Sequence, residues 1–165
     1  MIRIGLLSDT HGYLDDVIFK HFESCDEIWH AGDFGSLTLA NQLADFKPLR
    51  GVYGNIDGRD IRAIYPEHLR FTCEKVHVWM THIGGYPGKY HPKIKAELHQ
   101  NPPQLFIAGH SHILKVMYDP KISCLHMNPG AAGKEGWHQV RTLLRFAISE
   151  EKIHTLEVIE LSIKY

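Results

Sequence analysis

The chain opens Met1-Ile2-Arg3-Ile4-Gly5-Leu6-Leu7-Ser8-Asp9-Thr10-His11-Gly12, and this stretch decides how the remainder is read. Ile2 to Ser8 is a nearly continuous apolar run, which suits a strand buried on both faces better than an alternating surface strand. Asp9-Thr10-His11-Gly12 then breaks it with polar and turn residues. The same order of events repeats downstream. Leu14, Val17, Ile18 and Phe22 recur at helical spacing and predict a helix from Leu14 to Phe22. Glu27 to His30 reads as a second strand, closed by Ala31-Gly32-Asp33. Leu37 to Phe46 is amphipathic and is stopped by Pro48. Leu49 to Tyr53 reads as a third strand, closed by Gly54-Asn55-Ile56-Asp57-Gly58. Strand–helix–strand–helix–strand implies a parallel sheet with crossover helices.

The middle changes character. Arg70 to Cys73 and Val76 to Thr81 are short β-rich runs around a tight turn, so a hairpin is expected, ending at His82. A Gly/Pro-rich loop over Gly84 to Gly88 follows, then a helix from Pro92 to Gln100 with proline near its first turn. Gln104 to Ala108 reads as another buried strand, closed by Gly109-His110-Ser111-His112. The last third is β: Val116 to Asp119 and Ile122 to Met127 across a Pro-Lys turn, then Val140 to Ile148 and Ile153 to Leu161 as a long hairpin. No linker, repeat or low-complexity tract divides the chain, so one domain over residues 1–165 is expected.

Composition narrows the function. A formal net charge of −1 disfavours a general binder of long nucleic acid, which would carry a basic stripe. The cysteines Cys25, Cys73 and Cys124 are isolated, with no C-x-x-C pair, as expected of reduced buried thiols. The opening apolar run is too short for a signal peptide and no later run approaches membrane-spanning length. A cytoplasmic protein without a membrane segment is expected. Histidine is unusually frequent at thirteen residues, and several of them share an address.

Five polar breaks each follow an apolar strand: Asp9-Thr10-His11, Gly32-Asp33, Gly54-Asn55, His82 and Gly109-His110-Ser111-His112. In open α/β sheets, ligands bind outside the carboxyl ends of strands, so these side chains can converge on one crevice. Each break alone is commoner as a cap or turn than as a ligand. All five together, each after an expected strand, point to a metal site. Carboxylate, imidazole and amide oxygen suit divalent ions such as manganese, iron, zinc or cobalt. Asp9, His11, Asp33, Asn55, His82, His110 and His112 are too many for one catalytic ion that keeps an open position. They suit two ions, roughly 3.5–4 Å apart, sharing a carboxylate.

The ordered pattern Asp-x-His, Gly-Asp, Gly-Asn, His, Gly-His-x-His resembles the calcineurin-like metallophosphoesterase superfamily, and the short chain resembles its small bacterial and archaeal phosphodiesterase branch, which is related to Vps29. The resemblance implies a compact two-sheet β-sandwich core flanked by helices. It implies that Asp9, His11 and His112 hold one metal, that Asp33 bridges, and that Asn55, His82 and His110 complete the second site. Asp9, Asp33, Asn55 and His110 would then carry the catalysis, with a hydroxide between the ions attacking phosphorus in line. Manganese is the first expectation, with iron, zinc, cobalt or nickel as alternatives. The partner would be a small phosphodiester or other phosphate ester, and a homo-oligomer is compatible with the sequence.

One departure matters. Many members read Gly-Asn-His-Asp/Glu, with the histidine as acid for the leaving group, whereas this chain has Ile56. Protonation of a leaving group typically contributes roughly 10²–10⁴-fold, so diesters or activated aryl phosphates are expected to be favoured. Ile83 replaces the glycine usual after the second-site histidine. Asp57 reads equally as a support for a ligand or a turn residue. Asn128-Pro129-Gly130 reads as a pocket-shaping loop or a rigid turn, and His30 as packing. Tyr86, Lys89, Tyr90 and His91 lie where they could meet substrate. Trp137-His138 receives no role. The rival reading is a Vps29-like scaffold with little or no catalysis, which an exposed apolar patch would favour.

Overall fold

The computed structural model describes residues 1–163, so the last two positions of the expected domain lie outside the described residues. β1 (Ile2–Leu7) leads through α1 (Val17–His21) to β2 (Glu27–His30), then through α2 (Leu37–Phe46) to β3 (Leu49–Gly51) and the one-turn α3 (Arg59–Arg62). The hairpin β4 (His68–Cys73) and β5 (Val76–Thr81) precedes a short ribbon, β6 (Gly85–Tyr86) and β7 (Lys89–Tyr90), and then α4 (Pro92–Gln100). β8 (Leu105–Ile107), β9 (Leu114–Asp119), β10 (Cys124–Pro129), β11 (Val140–Ser149) and β12 (Lys152–Ile163) complete the described chain.

Two five-stranded sheets result, ordered β12-β11-β1-β2-β3 and β4-β5-β8-β10-β9. Strand alternation explains how they stack. Ile4 and Leu6 point between the sheets, where Trp29, Val78, Met80, Leu105, Ile107, Met127 and Phe146 meet them in one buried cluster. The intervening residues face outward toward helices. Leu7 and Ile28 pack with Ile18 and Phe22 around α1 and with Leu39 and Leu43 of α2. Gly5 is where α1 comes closest, since a Cβ there would lie 2.6 Å from the Phe22 ring. On the far side Trp79 and Phe106 pack against Ile94 and Leu98 of α4. The order is helices, sheet, sheet, helix, in accord with the expected sandwich. Trp29 ties the sheets together, with its ring edge-on to Phe71 at 4.9 Å and Phe146 at 5.8 Å. A fully buried side chain of this kind typically contributes about 1.5–3 kcal/mol.

The parallel opening is present: β1 pairs with β2 and β2 with β3, all parallel. The sheet is nevertheless mixed, because β11 pairs antiparallel with the free side of β1. In the second sheet β5, β8 and β10 run parallel. Some boundaries differ from expectation for local reasons. α1 begins only at Val17, because the Asp15 carboxylate accepts the Val17 N–H at 3.1 Å and closes a turn first. β3 ends at Gly51, although the Val52 N–H still reaches the His30 carbonyl of β2 at 3.2 Å while Tyr53 donates its N–H to the Pro66 carbonyl. The Gly84–Gly88 loop holds the β6–β7 ribbon, and α3 was not anticipated, being one turn long. Leu114 and Lys115 extend β9 forward, while β10 starts only at Cys124, the turn before it being held by Lys121 N–H on Asp119 Oδ1. Among the described residues no helix is long and apolar enough to cross a membrane.

Candidate metal centre

The loops that leave β1, β2, β3, β5 and β8 meet at one end of the sandwich. Backbone bonds continue past the strand ends and lock the loops together: Asp9 N–H donates to Gly32 O (2.9 Å), His11 N–H to Asp33 O (3.0 Å) and Gly109 N–H to His82 O (2.9 Å). The turns are sharp enough to force left-handed backbone on residues that ordinarily avoid it. Asp9 (φ 54°), His11 (φ 46°), Asp33 (φ 60°), His110 (φ 70°) and His112 (φ 62°) are five of nine such non-glycine residues. Strain of this kind concentrates at functional sites, and here it aims side chains inward. Gly54 serves the same packing, because a Cβ there would collide with the Asp33 carboxylate.

All seven residues singled out in the sequence are brought to this end. His112 Nε2 lies 3.1 Å from Asp9 Oδ1, and His11 Nε2 lies 3.7 Å from the same oxygen and 3.2 Å from Asp33 Oδ2. His82 Nε2 is 3.1 Å from Asp33 Oδ2 and 3.7 Å from Asp9 Oδ1. His110 Nδ1 sits 3.1 Å from Asn55 Oδ1. Two groups with metal-ligand geometry emerge, Asp9 with His11 and His112, and Asp33 with His82 and His110, the donor atoms of each lying within 4.8 Å of one another. Buried polar atoms are ordinarily hydrogen-bonded. Asp9 Oδ1, His11 Nε2 and His82 Nε2 are buried and not aligned with any partner. Orphaned oxygen and nitrogen donors converging in this way fit divalent cations.

Each donor is held by its remaining atoms. Asp9 Oδ2 accepts from Ser8 Oγ at 2.6 Å and from the His110 N–H at 3.1 Å, which leaves Oδ1 directed into the centre. Asp33 Oδ1 accepts the Ile56 N–H at 3.1 Å, leaving Oδ2. His82 Nδ1 donates to the Ala31 carbonyl at 2.8 Å, so the lone pair stays on Nε2. His112 is fixed through His138, whose Nε2 donates to Gly133 O at 2.8 Å; its Nδ1 therefore accepts from His112 Nδ1 at 3.2 Å. Outer partners of this kind set the tautomer and orientation of ligating imidazoles.

Protonation follows the same map. Burial pushes the Asp9 carboxyl up, but the adjoining His11 and His112 outweigh it and hold it well below the usual carboxylate range. Burial likewise opposes Asp33, and His11 and His82 outweigh it to hold that carboxyl low. His11 is raised to about 10, by Asp33 first and then Asp9. Burial works against the charged form of His82, yet the Asp33 contact leaves its pKa raised. Burial, reinforced by His82, lowers His110. Two buried carboxylates that hold protons on neighbouring imidazoles are a site that seeks positive charge, and a bound dication would displace those protons.

The residues left open in the sequence acquire definite places. Asp57 is buried and accepts three backbone N–H groups: Gly54 at 2.9 Å and Phe34 at 3.1 Å on Oδ2, and Gly35 at 2.9 Å on Oδ1. It clamps the Asp33 loop to the Asn55 loop. His30 is fully buried, stacked on Phe34 at 3.8 Å, and bonded to Thr10 Oγ1 and the Gly32 N–H. It packs as expected, directly beneath the ligand loops. Asn128 Nδ2 donates to Gly109 O at 3.0 Å and to Ser111 Oγ at 3.1 Å, fixing the loop that carries His110 and His112. Ile56 is half exposed beside Asn55 and presents no proton donor. Tyr90 is buried, with its hydroxyl on Asp119 Oδ2 at 2.6 Å, so it supports α4 rather than lining the centre. His138 had no recognisable signal, since its partner lies 26 positions away.

A two-sheet sandwich that gathers aspartate, histidine and asparagine at the carboxyl ends of its strands has the architecture of a metallophosphoesterase. Residues 2–151 match the calcineurin-like phosphoesterase superfamily domain, and the chain belongs to that superfamily. A probable metallophosphoesterase of Methanothermobacter thermautotrophicus is 28% identical over 114 residues, covering 66% of this chain and 66% of its own length. A phosphodiesterase of Methanocaldococcus jannaschii is 26% identical over 146 residues, covering 78% and 83%. Among solved structures, an archaeal phosphodiesterase superposes with a TM-score of 0.76 at 21% identity, over 97% of this chain and 100% of that one. Wild-type Vps29 of Entamoeba histolytica, solved with zinc, superposes with a TM-score of 0.75 at 12% identity, over 97% and 98%. At such identities these two likenesses show a shared fold.

Proposed function

We propose that this chain is a phosphodiesterase working through two divalent metal ions, manganese being the first to test. The observation that carries the reading is the set of buried atoms Asp9 Oδ1, His11 Nε2 and His82 Nε2, none of them in an aligned hydrogen bond and all within 3.7 Å of a facing carboxylate or imidazole. Asp9, His11 and His112 would hold one ion; Asn55, His82 and His110 would hold the other; and Asp33, within 3.2 Å of imidazoles from both groups, would be shared. When bound, such a pair acidifies water and neutralises charge on phosphoryl oxygens. The remaining work belongs to the protein. His82 and His112 keep their Nε2 lone pairs inward through Ala31 and His138. The amide NH₂ of Asn55 can donate to a substrate oxygen while its carbonyl faces a metal. The exposed Ile56 leaves the departing group without a side-chain acid at that position, which favours diesters and activated aryl esters over alkyl monoesters.

The chain would act as one metallophosphoesterase domain over residues 1–165. Its three buried free thiols fit a reducing, cytoplasmic setting. The deciding experiment is hydrolysis of bis-p-nitrophenyl phosphate by metal-stripped protein titrated with Mn²⁺, beside an Asp9→Asn control. Metal-dependent turnover that the control loses is the expected result. A protein that binds two metals and stays inert on diesters and monoesters would favour the scaffold reading. One observation supports that rival: Val116, Met117 and Tyr118 are exposed on β9, the edge strand of the second sheet. An apolar edge is a surface other chains can pair with.

A further inference from the structure

Beside the loop that carries His110 and His112 lies a cavity of about 120 Å³, lined by Tyr86, Ser111, Ile113, Lys115, His126 and Asn128. Its lining is mostly apolar. Ile113 is 62% exposed and Tyr86 38% exposed, so hydrophobic surface stands open beside the loop that carries His110 and His112. The Lys115 ammonium lies 4.1 Å from the centre of the Tyr86 ring and fixes that ring at the rim. Ser111, which sits between the two histidines in sequence, makes the cavity continuous with the metal-binding loop.

The polar groups in the lining are not equivalent. The Asn128 amide is fully used, donating to Gly109 O and Ser111 Oγ and accepting from the Gly130 N–H. His126 differs: it is 1% exposed, and neither ring nitrogen is aligned with a hydrogen-bond partner, although the Phe106 backbone lies close enough to influence it. A buried imidazole with no aligned hydrogen bond next to a small apolar cavity is an arrangement that a ligand can complete. The volume bounds that ligand: a benzene-sized ring fills an apolar cavity of roughly 150 Å³, so a single ring is the upper limit here.

We infer that this cavity receives a single aromatic ring of the substrate, its faces against Ile113 and Tyr86 and a hydrogen-bonding ring edge toward His126, while the phosphorus it is esterified to occupies the metal centre. The inference rests on the phosphoesterase reading and deepens it: the favoured substrates are phosphate esters with one single-ring aryl or pyrimidine-like arm. A short alkyl arm would cover less of the apolar walls than a ring does and would leave His126 without a hydrogen-bonding partner.

Direct binding separates this inference from the catalytic reading. Manganese-loaded protein is titrated calorimetrically with phenylphosphonate and with methylphosphonate, neither of which can be hydrolysed as an ester. Wild type should bind the phenyl compound about tenfold more tightly, a typical worth for aromatic contacts. Tyr86→Ala and Ile113→Ala, both at exposed positions, should erase that preference and leave methylphosphonate binding unchanged. A 3-hydroxyphenyl analogue should bind more tightly than phenyl in wild type and not in His126→Leu. Equal binding of phenyl and methyl compounds, no binding of either, or a preference that survives both exposed substitutions overturns the inference. Phenyl preference without turnover of any ester would leave the cavity assignment standing and remove the phosphodiesterase reading. Turnover without phenyl preference would do the reverse.

Discussion

His112 and His138 are joined through their Nδ1 atoms at 3.2 Å, and His138 is itself tied to the Gly133 carbonyl at 2.8 Å. The chain of contacts fixes which nitrogen of His112 faces Asp9. Removing such an outer partner typically costs about 10–100-fold in metal affinity. His138→Ala should therefore weaken binding of one of the two ions by that order and leave the other nearly unchanged. Competition of a fluorescent chelator against wild type and variant measures both steps; equal loss at both sites would show that His138 serves the whole loop instead.

Asp57 satisfies three backbone N–H groups from a position only 3% exposed. Asp57→Ala leaves those donors unpaired beneath the centre and should destabilise the fold by about 3 kcal/mol. Urea unfolding of metal-free protein gives this directly. A loss under about 0.5 kcal/mol, the ordinary range for surface changes, would mean that water replaces the carboxylate without cost.

Ile56→His places an imidazole at a half-exposed position whose backbone N–H already bonds Asp33, so the ligand geometry should survive. If leaving-group protonation limits the rate, monoester turnover should rise by about 10²-fold, the lower end of what general acids supply. Diesters with a p-nitrophenolate leaving group should change little. Parallel assays on phenyl phosphate and bis-p-nitrophenyl phosphate test the split, and equal responses would exclude protonation as the cause.

Stability of the metal-free protein should pass through a maximum near neutral pH, for two opposite reasons. Burial lowers His30 from 6.5 to about 3 and His126 from 6.5 to about 4. Their folded-state pKa values lie below the unfolded value, so their contribution is complete above about pH 6.5 and is lost as pH falls toward those lower values. His11 has the reverse sign. Raised from 6.5 to about 10 by Asp33 and Asp9, it contributes fully below the unfolded value and loses that contribution as pH rises toward about 10. Unfolding midpoints across pH 4–10 should show both limbs. His126→Leu should flatten the acid limb alone, and a saturating metal should remove most of the alkaline one.

Much of the site was legible because strand ends are local features. Each break, after Ile2–Leu7, after His30 and after Thr81, directly follows the strand that precedes it in sequence, so periodicity and turn chemistry reveal it. Helix starts were less legible, since Asp15 closes a turn before α1 by a single side-chain bond.

By itself, the sequence determined the parallel strand–helix opening and the strand-end breaks that carry the seven candidate ligands, while the two-sheet class followed from the family resemblance those breaks carry. Only the tertiary structure decided that β11 pairs with β1, about 140 positions away, turning a parallel sheet into a mixed one. It alone decided that Asp57 clamps two loops, that His138 orients His112 and that His126 lies beside a ring-sized cavity. The physical reason is common to all four. Period and turn signals report which face a residue presents to its nearest neighbours in the chain. Which distant groups will satisfy a buried carboxylate or imidazole is set when the sheets pack.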